Sequence, residues 1–145
     1  MNKEYLKVKE NDLENVARDF SKLLKNFSNQ NERSCIVFLQ GDLGAGKTTF
    51  VKKLAKVLEI KENIISPTFV LRKDYENIIH VDGYRFEKEE EGKILSLDKE
   101  LQDKGKIILI EWPERFVKAI NLKPDFILEF TYLNYEERNI SIKST

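Results

Sequence analysis

The sequence predicts an α/β fold of the P-loop NTPase type, a mixed twisted sheet with helices on both faces. Three observations carry this reading. Residues Gly41 to Thr48 read Gly-Asp-Leu-Gly-Ala-Gly-Lys-Thr, the complete G-x-x-x-x-G-K-[ST] pattern, set between an apolar strand-like run and a segment of helical period. Apolar runs alternate with amphipathic segments along the chain, as in sheets covered by helices. Two pairs of strand-like runs lie next to each other in sequence, which calls for some antiparallel pairing in the sheet.

The elements follow in order. Tyr5-Leu6-Lys7-Val8 reads as a short strand. Asn11 offers a helix N-cap, with Glu14 as its capping partner. The helix that follows carries Leu13, Val16, Ala17, Phe20, Leu23, Leu24 and Phe27 on one stripe. Polar Ser28 to Arg33 read as a loop. Ser34 to Gln40 is a buried strand, and Thr49 to Leu58 continues the glycine loop as a helix. Ser66-Pro67-Thr68 reads as an extended loop. Phe69 to Tyr75 and Ile78 to Val81 read as strands joined at Glu76-Asn77. Glu87 to Leu101 is charged and irregular, helical in part around Ile94 to Leu101. Lys106 to Glu111 is another apolar strand, and Pro113 suits the first turn of a short helix through Ala119. Phe126 to Leu133 and Asn139 to Lys143 form a final hairpin. No repeat or linker marks a second domain, so residues 1–145 read as one domain. A chain of this length buries roughly 68–70% of its unfolded surface, enough for a single core.

Charge and composition narrow the function. Lysine plus arginine is 25 and aspartate plus glutamate is 25, so the net charge is zero. That balance argues against direct nucleic-acid binding as the main role. The single cysteine, Cys35, lies inside an apolar strand as a core residue, which excludes disulfides and cysteine metal sites. No signal peptide or membrane-length apolar run is present, so a cytoplasmic chain without membrane contact is expected.

The glycine loop states its own chemistry. Gly41, Gly44 and Gly46 let the backbone turn sharply and approach a polyphosphate. The loop N–H groups and the helix N-terminus favour the anion. Gly41, Leu43, Gly44, Ala45, Gly46, Lys47, Thr48 and Thr49 thus form the expected nucleotide cradle. Lys47 can reach the terminal phosphates and the Thr48 hydroxyl can ligate Mg²⁺. Two apolar strands end in carboxylates, Asp82 and Glu111. Ligands of open α/β sheets sit at such strand ends. A P-loop site needs an acidic group for Mg²⁺ and a group to orient the attacking water, and the residues alone leave open which carboxylate does which. His80, the single histidine, is either a polar core residue or a site residue. Trp112 packs against its loop, senses the nucleotide or faces a partner. The runs Glu87 to Glu91 and Lys52, Lys53 and Lys56 read as solvated surface.

These motifs, in this order, resemble one family. The stretch Gly41 to Phe50, then Ser66-Pro67-Thr68-Phe69, then His80-x-Asp82-x-Tyr84-Arg85, then Glu111-Trp112-Pro113, is similar to TsaE (also called YjeE). That family is the small bacterial ATPase of threonylcarbamoyladenosine synthesis in tRNA. Gly83 departs from the bulky apolar residue common at its position. The resemblance implies ATP or ADP and Mg²⁺ as ligands, with Thr48 and Glu111 holding the metal. It implies that Asp82 lies near the γ-phosphate and serves hydrolysis, and that Thr68 belongs to a switch-like loop. It places Asp12 and Arg138 beside the nucleotide. It names TsaB and TsaD as partners, with tRNA involved only indirectly. The loops of Thr68, Tyr84, Arg85 and Trp112 are then the expected contact surface of a chain that is monomeric alone. Two other classes compete. A small-molecule kinase would need an acceptor pocket and usually an arginine-bearing lid, but the arginines here are scattered. A GTPase would need the guanine-reading Asn-Lys-x-Asp motif, which is absent.

Overall fold

Five consecutive buried residues, Cys35 to Leu39, make β2 (Cys35–Gly41) the middle of a sheet, because only a central strand covered on both faces can be apolar throughout. The computed structural model describes residues 2–64, 72–84, 97–115 and 121–145. In it β2 pairs in parallel with β5 (Ile107–Glu111) on one side and β6 (Phe126–Tyr132) on the other. β4 (Ile78–Asp82) lies parallel to β5, and β3 (Arg72–Tyr75) closes that side antiparallel to β4. On the other side β7 (Arg138–Ser144) runs antiparallel to β6, and β1 (Asn2–Val8) antiparallel to β7. The order is β1-β7-β6-β2-β5-β4-β3, a mixed sheet with a parallel centre.

This order brings the candidate residues to one edge. β2, β4, β5 and β6 all end there, followed by the glycine loop, Asp82, Glu111 and the hairpin. β7 starts at the same edge, where Arg138 pairs with both Tyr132 and Val8.

Strand alternation divides the core in two. Val37, Leu39, Ile78, Leu109, Leu128, Phe130, Ile140 and Ile142 face α1 (Leu13–Gln30) and α2 (Lys47–Val57). The helix stripes meet them through Val16, Phe20 and Leu24 of α1 and Phe50, Val51 and Leu54 of α2. Phe20 stands edge-on to Phe126 at 5.5 Å between ring centres, and Phe50 meets Phe130 at the same distance. On the opposite face Ile36, Phe38, Ile79, Val81, Ile108 and Ile110 are covered, among the described residues, by Leu97, Leu101 and Leu122.

Several boundaries differ from the sequence expectation. β1 begins at Asn2, ahead of Tyr5. Asn11 does not cap α1. A 3-10 turn, Glu10–Asp12, precedes the helix, and the Asp12 carboxylate accepts the Lys9 N–H at 3.3 Å. The tighter turn places Asp12, not Asn11, three residues after the extended Lys9. α1 also continues through polar Ser28-Asn29-Gln30, where a loop was expected. Its end is closed by the Asn31 side-chain amide donating to the Phe27 carbonyl at 3.0 Å. Lys106 lies just before β5. Glu100–Gln102 and Pro113–Arg115 are 3-10 turns. The expected loop at residues 66–68, the start of the strand at 69–71, and the segments 87–96 and 116–119 lie outside the described residues.

Candidate functional site

The glycine loop leaves β2 at a position that only glycine fits. Gly41 has φ +145°, and a Cβ there would stand 2.4 Å from the Phe130 carbonyl oxygen on β6. Gly44 and Gly46 also take positive φ, at +79° and +98°. A Cβ on Gly46 would meet the Arg138 Nε at 3.4 Å, so the hairpin arginine lies against the loop. Ala45 is buried and its N–H donates to the Asp42 carbonyl at 3.1 Å, which tightens the turn. Leu43 stands exposed at the loop tip, and Thr49 is half-buried on the first turn of α2.

Lys47 opens α2 and is only 5% exposed. Its ammonium donates to the Gly41 carbonyl and lies 4.0 Å from the centre of the Trp112 ring. Burial lowers its pKa, opposed by the negative field of Glu111 and Asp82. The cation is therefore held at the loop by an oxygen and an aromatic face. Trp112 itself sits at φ +56°, an unusual backbone conformation for a bulky residue. Tyr84 packs against it with ring centres 5.1 Å apart, and the Arg115 guanidinium lies 5.9 Å from its ring.

The two strand-end carboxylates are neighbours, because Asp82 and Glu111 pair in the β4–β5 register. Their environments differ. Glu111 is 3% exposed, and its Oε2 accepts from the Thr48 hydroxyl at 3.4 Å and meets His80 Nε2 at 2.6 Å. Asp82 is half-exposed and its Oδ1 accepts the Tyr84 N–H at 2.9 Å. Desolvation raises the Asp82 pKa, the Tyr84 N–H opposes that shift, and the Glu111 charge adds to it. Gly83 bridges the strands, its N–H donating to the Glu111 carbonyl at 2.9 Å.

Lys47, Thr48, Asp82, Glu111 and Trp112 therefore meet at one strand edge. Arg138 joins them through Gly46, and its guanidinium donates to the Val8 carbonyl at 3.4 Å. Asp12 lies on the turn just after Val8, where its carboxylate engages Lys9. Thr68 and Arg85 lie outside the described residues. The contact that sequence reasoning did not find is that of His80 with Glu111. Strand alternation puts His80 and Asp82 on one face of β4, but only the pairing of β4 with β5 brings His80 to Glu111.

A hydroxyl and a carboxylate converging at the loop are hard oxygen donors of the kind Mg²⁺ takes. Among the described residues no group of three or more His, Cys, Asp or Glu side chains could hold a metal alone. A cation at Thr48 and Glu111 would thus depend on phosphate oxygens for further ligands, as Mg²⁺ in nucleotide sites does. No described helix is long and apolar enough to cross a membrane.

Comparison with known proteins finds relatives of this chain. The family described as "Threonylcarbamoyl adenosine biosynthesis protein TsaE" matches residues 8–140. A protein of Aquifex aeolicus named tRNA threonylcarbamoyladenosine biosynthesis protein TsaE is 36% identical over 147 residues, covering 97% of this chain and 95% of that one. A protein of the same name from Nostoc is 45% identical over 89 residues, 55% of this chain and 53% of that one. The crystal structure of YdiB from Bacillus subtilis superposes with a TM-score of 0.68 at 23% identity, covering 99% of this chain and 86% of that chain. That likeness concerns the fold.

Proposed function

Because this chain belongs to the TsaE family, we propose that it binds and slowly hydrolyses ATP with Mg²⁺, as a partner of TsaB and TsaD in tRNA threonylcarbamoyladenosine synthesis. The observation that carries the chemistry is the convergence of the Thr48 hydroxyl and the Glu111 carboxylate, 3.4 Å apart, beside a complete glycine loop.

The placement of the described residues supports a role for each. Gly41, Leu43, Gly44, Ala45, Gly46 and Thr49 wrap the phosphates with backbone N–H groups. Lys47 turns its buried ammonium from Trp112 to the terminal phosphates, where a desolvated charge acts strongly. Thr48 and Glu111 would hold Mg²⁺, which supplies charge neutralisation across the phosphates. Asp82 orients the attacking water, and its half-exposed carboxylate suits a group that must meet solvent. Arg138 and Asp12 border the nucleotide from the hairpin and the start of α1. Thr68 and Arg85 keep the roles that the resemblance implies.

Among the described residues the site edge shows no acceptor group for a second substrate, and the chain carries no net charge with which to hold tRNA alone. An ATPase of this kind needs a partner whose conformation its nucleotide cycle biases. Tyr84 and Trp112, packed together beside Lys47, are the described residues that would report nucleotide occupancy to TsaB–TsaD. In this reading residues 1–145 act as a single domain, monomeric alone, in the cytoplasm where tRNA is modified.

The test is steady-state ATP turnover by the purified chain, alone and with TsaB, TsaD and tRNA. Slow turnover alone, accelerated by the partners, is expected. Full turnover on a small-molecule acceptor without partners would replace this reading with a kinase.

A further inference from the structure

His80 is completely buried, yet it is the single histidine of the chain and meets a buried carboxylate. Its Nε2 lies 2.6 Å from Glu111 Oε2, the oxygen that also accepts the Thr48 hydroxyl. Its Nδ1 is buried and has no hydrogen-bond partner among the described residues. With Glu111 as a carboxylate, these facts favour one place for the ring proton. With the proton on Nδ1 alone, two lone pairs would face each other across 2.6 Å and a buried N–H would be left unpaired. With the proton on Nε2, one charge-assisted hydrogen bond forms.

From this geometry we propose that His80 is a positioning residue: its Nε2–H donates to Glu111 and holds that carboxylate toward Thr48, in the orientation that Mg²⁺ requires. The proposal rests on the reading of Glu111 as a Mg²⁺ ligand. Glu111 is 3% exposed, so little water is available to orient it. Without the imidazole, the Thr48 hydroxyl at 3.4 Å, a long contact, would be left among the described residues to hold the Glu111 side chain. Partners that orient a ligating carboxylate change metal affinity by about 10- to 100-fold when removed. The phosphate cradle does not include His80, so nucleotide affinity without metal stays as it is.

The experiment measures binding of a non-hydrolysable ATP analogue by calorimetry, in EDTA and across a Mg²⁺ series. It compares the wild type with His80→Gln, His80→Asn and His80→Leu. The glutamine amide reaches about as far as imidazole Nε2, whereas the asparagine amide stops near Nδ1. Wild type and His80→Gln should share one Mg²⁺ requirement. His80→Asn and His80→Leu should need about 10- to 100-fold more Mg²⁺, with affinity in EDTA unchanged in all four. Glu111→Gln, run alongside, separates the two claims. No Mg²⁺ shift in Glu111→Gln overturns the assignment of Glu111 itself. A shift there with none in His80→Leu and His80→Asn overturns the role of His80. A second readout needs no substitution: ¹⁵N NMR of the single histidine should show a protonated Nε2 and a bare Nδ1. The opposite tautomer overturns the proposal even if the variants fail to fold.

Discussion

Gly41→Ala is the sharpest single perturbation that this site allows. The added methyl carbon would stand 2.4 Å from the Phe130 carbonyl oxygen and 3.0 Å from Phe130 Cβ. Ordinary contact begins near 3.4 Å, so β2 and β6 must part by about 1 Å at their paired ends. The obstacle is main chain and cannot swing aside. Overpacking of this kind costs about 1–3 kcal/mol. Holding alanine at φ +145° adds about 1–3 kcal/mol more. The sum is a loss of roughly 2–6 kcal/mol. Gly44→Ala is the matched control. Its φ is +79°, but nothing lies within 4 Å of the added carbon, so only the left-handed backbone cost of about 1–2 kcal/mol remains. Urea unfolding of both variants reads the difference as a shift in midpoint at constant slope. Because Lys47 is anchored on the Gly41 carbonyl, Gly41→Ala should also weaken ADP binding. Equal midpoints for the two variants would rule out the collision with Phe130, which is what separates them.

Three further outcomes are expected. Lys47→Ala should lose roughly 10- to 100-fold in ATP affinity by calorimetry, the worth of a charge-assisted contact in a desolvated site, with an unchanged circular dichroism spectrum. Asp82→Asn should cut hydrolysis by about 10²-fold or more while changing ATP affinity much less. Burial raises the Asp82 pKa, so the folded chain holds that proton more tightly than the unfolded one. The resulting penalty is full at neutral pH, fades as pH falls through the raised folded value, and is gone below the unfolded one. Asp82→Asn should therefore be no less stable than wild type at pH 7, and more stable by at most roughly 1 kcal/mol once solvent at the site is allowed for. That difference should close on acidification in pH-dependent urea melts. Asp125→Ala should cost about 1–3 kcal/mol in urea unfolding, because the carboxylate accepts both Arg33 nitrogens, at 2.8 and 2.9 Å, and the Ile36 N–H at 2.9 Å.

The sheet was legible where local pattern and burial agree. Cys35 to Leu39 can be nothing but a central strand, and the residue types of Gly41 to Thr48 state the loop and the helix after it. The α1 stripe from Leu13 to Leu24 is likewise a periodicity that packing enforces. Errors fell at the ends of elements, where small polar groups decide. Asn11 and Asp12 are both good caps in isolation, but the 3-10 turn instead engages the Asp12 carboxylate with the Lys9 N–H. Ser28 to Gln30 lack apolar residues, but the Asn31 amide lets the helix run on. At the site, the residue types of Asp82 and Glu111 announced strand-end chemistry. Their adjacency and the reach of His80 to Glu111 depend on register between β4 and β5, which carries no local mark. The seat of Lys47 over Trp112 is of the same kind, since it joins α2 to the turn after β5.

We propose that Thr48 and Glu111 complete a Mg²⁺–nucleotide site on the glycine loop. Calorimetry of ATP binding with and without Mg²⁺, in wild type and in Glu111→Gln, tests it most directly. Mg²⁺ should tighten binding to wild type, and Glu111→Gln should lose most of that gain while its affinity in EDTA is unchanged. Equal Mg²⁺ dependence in the two proteins would contradict it.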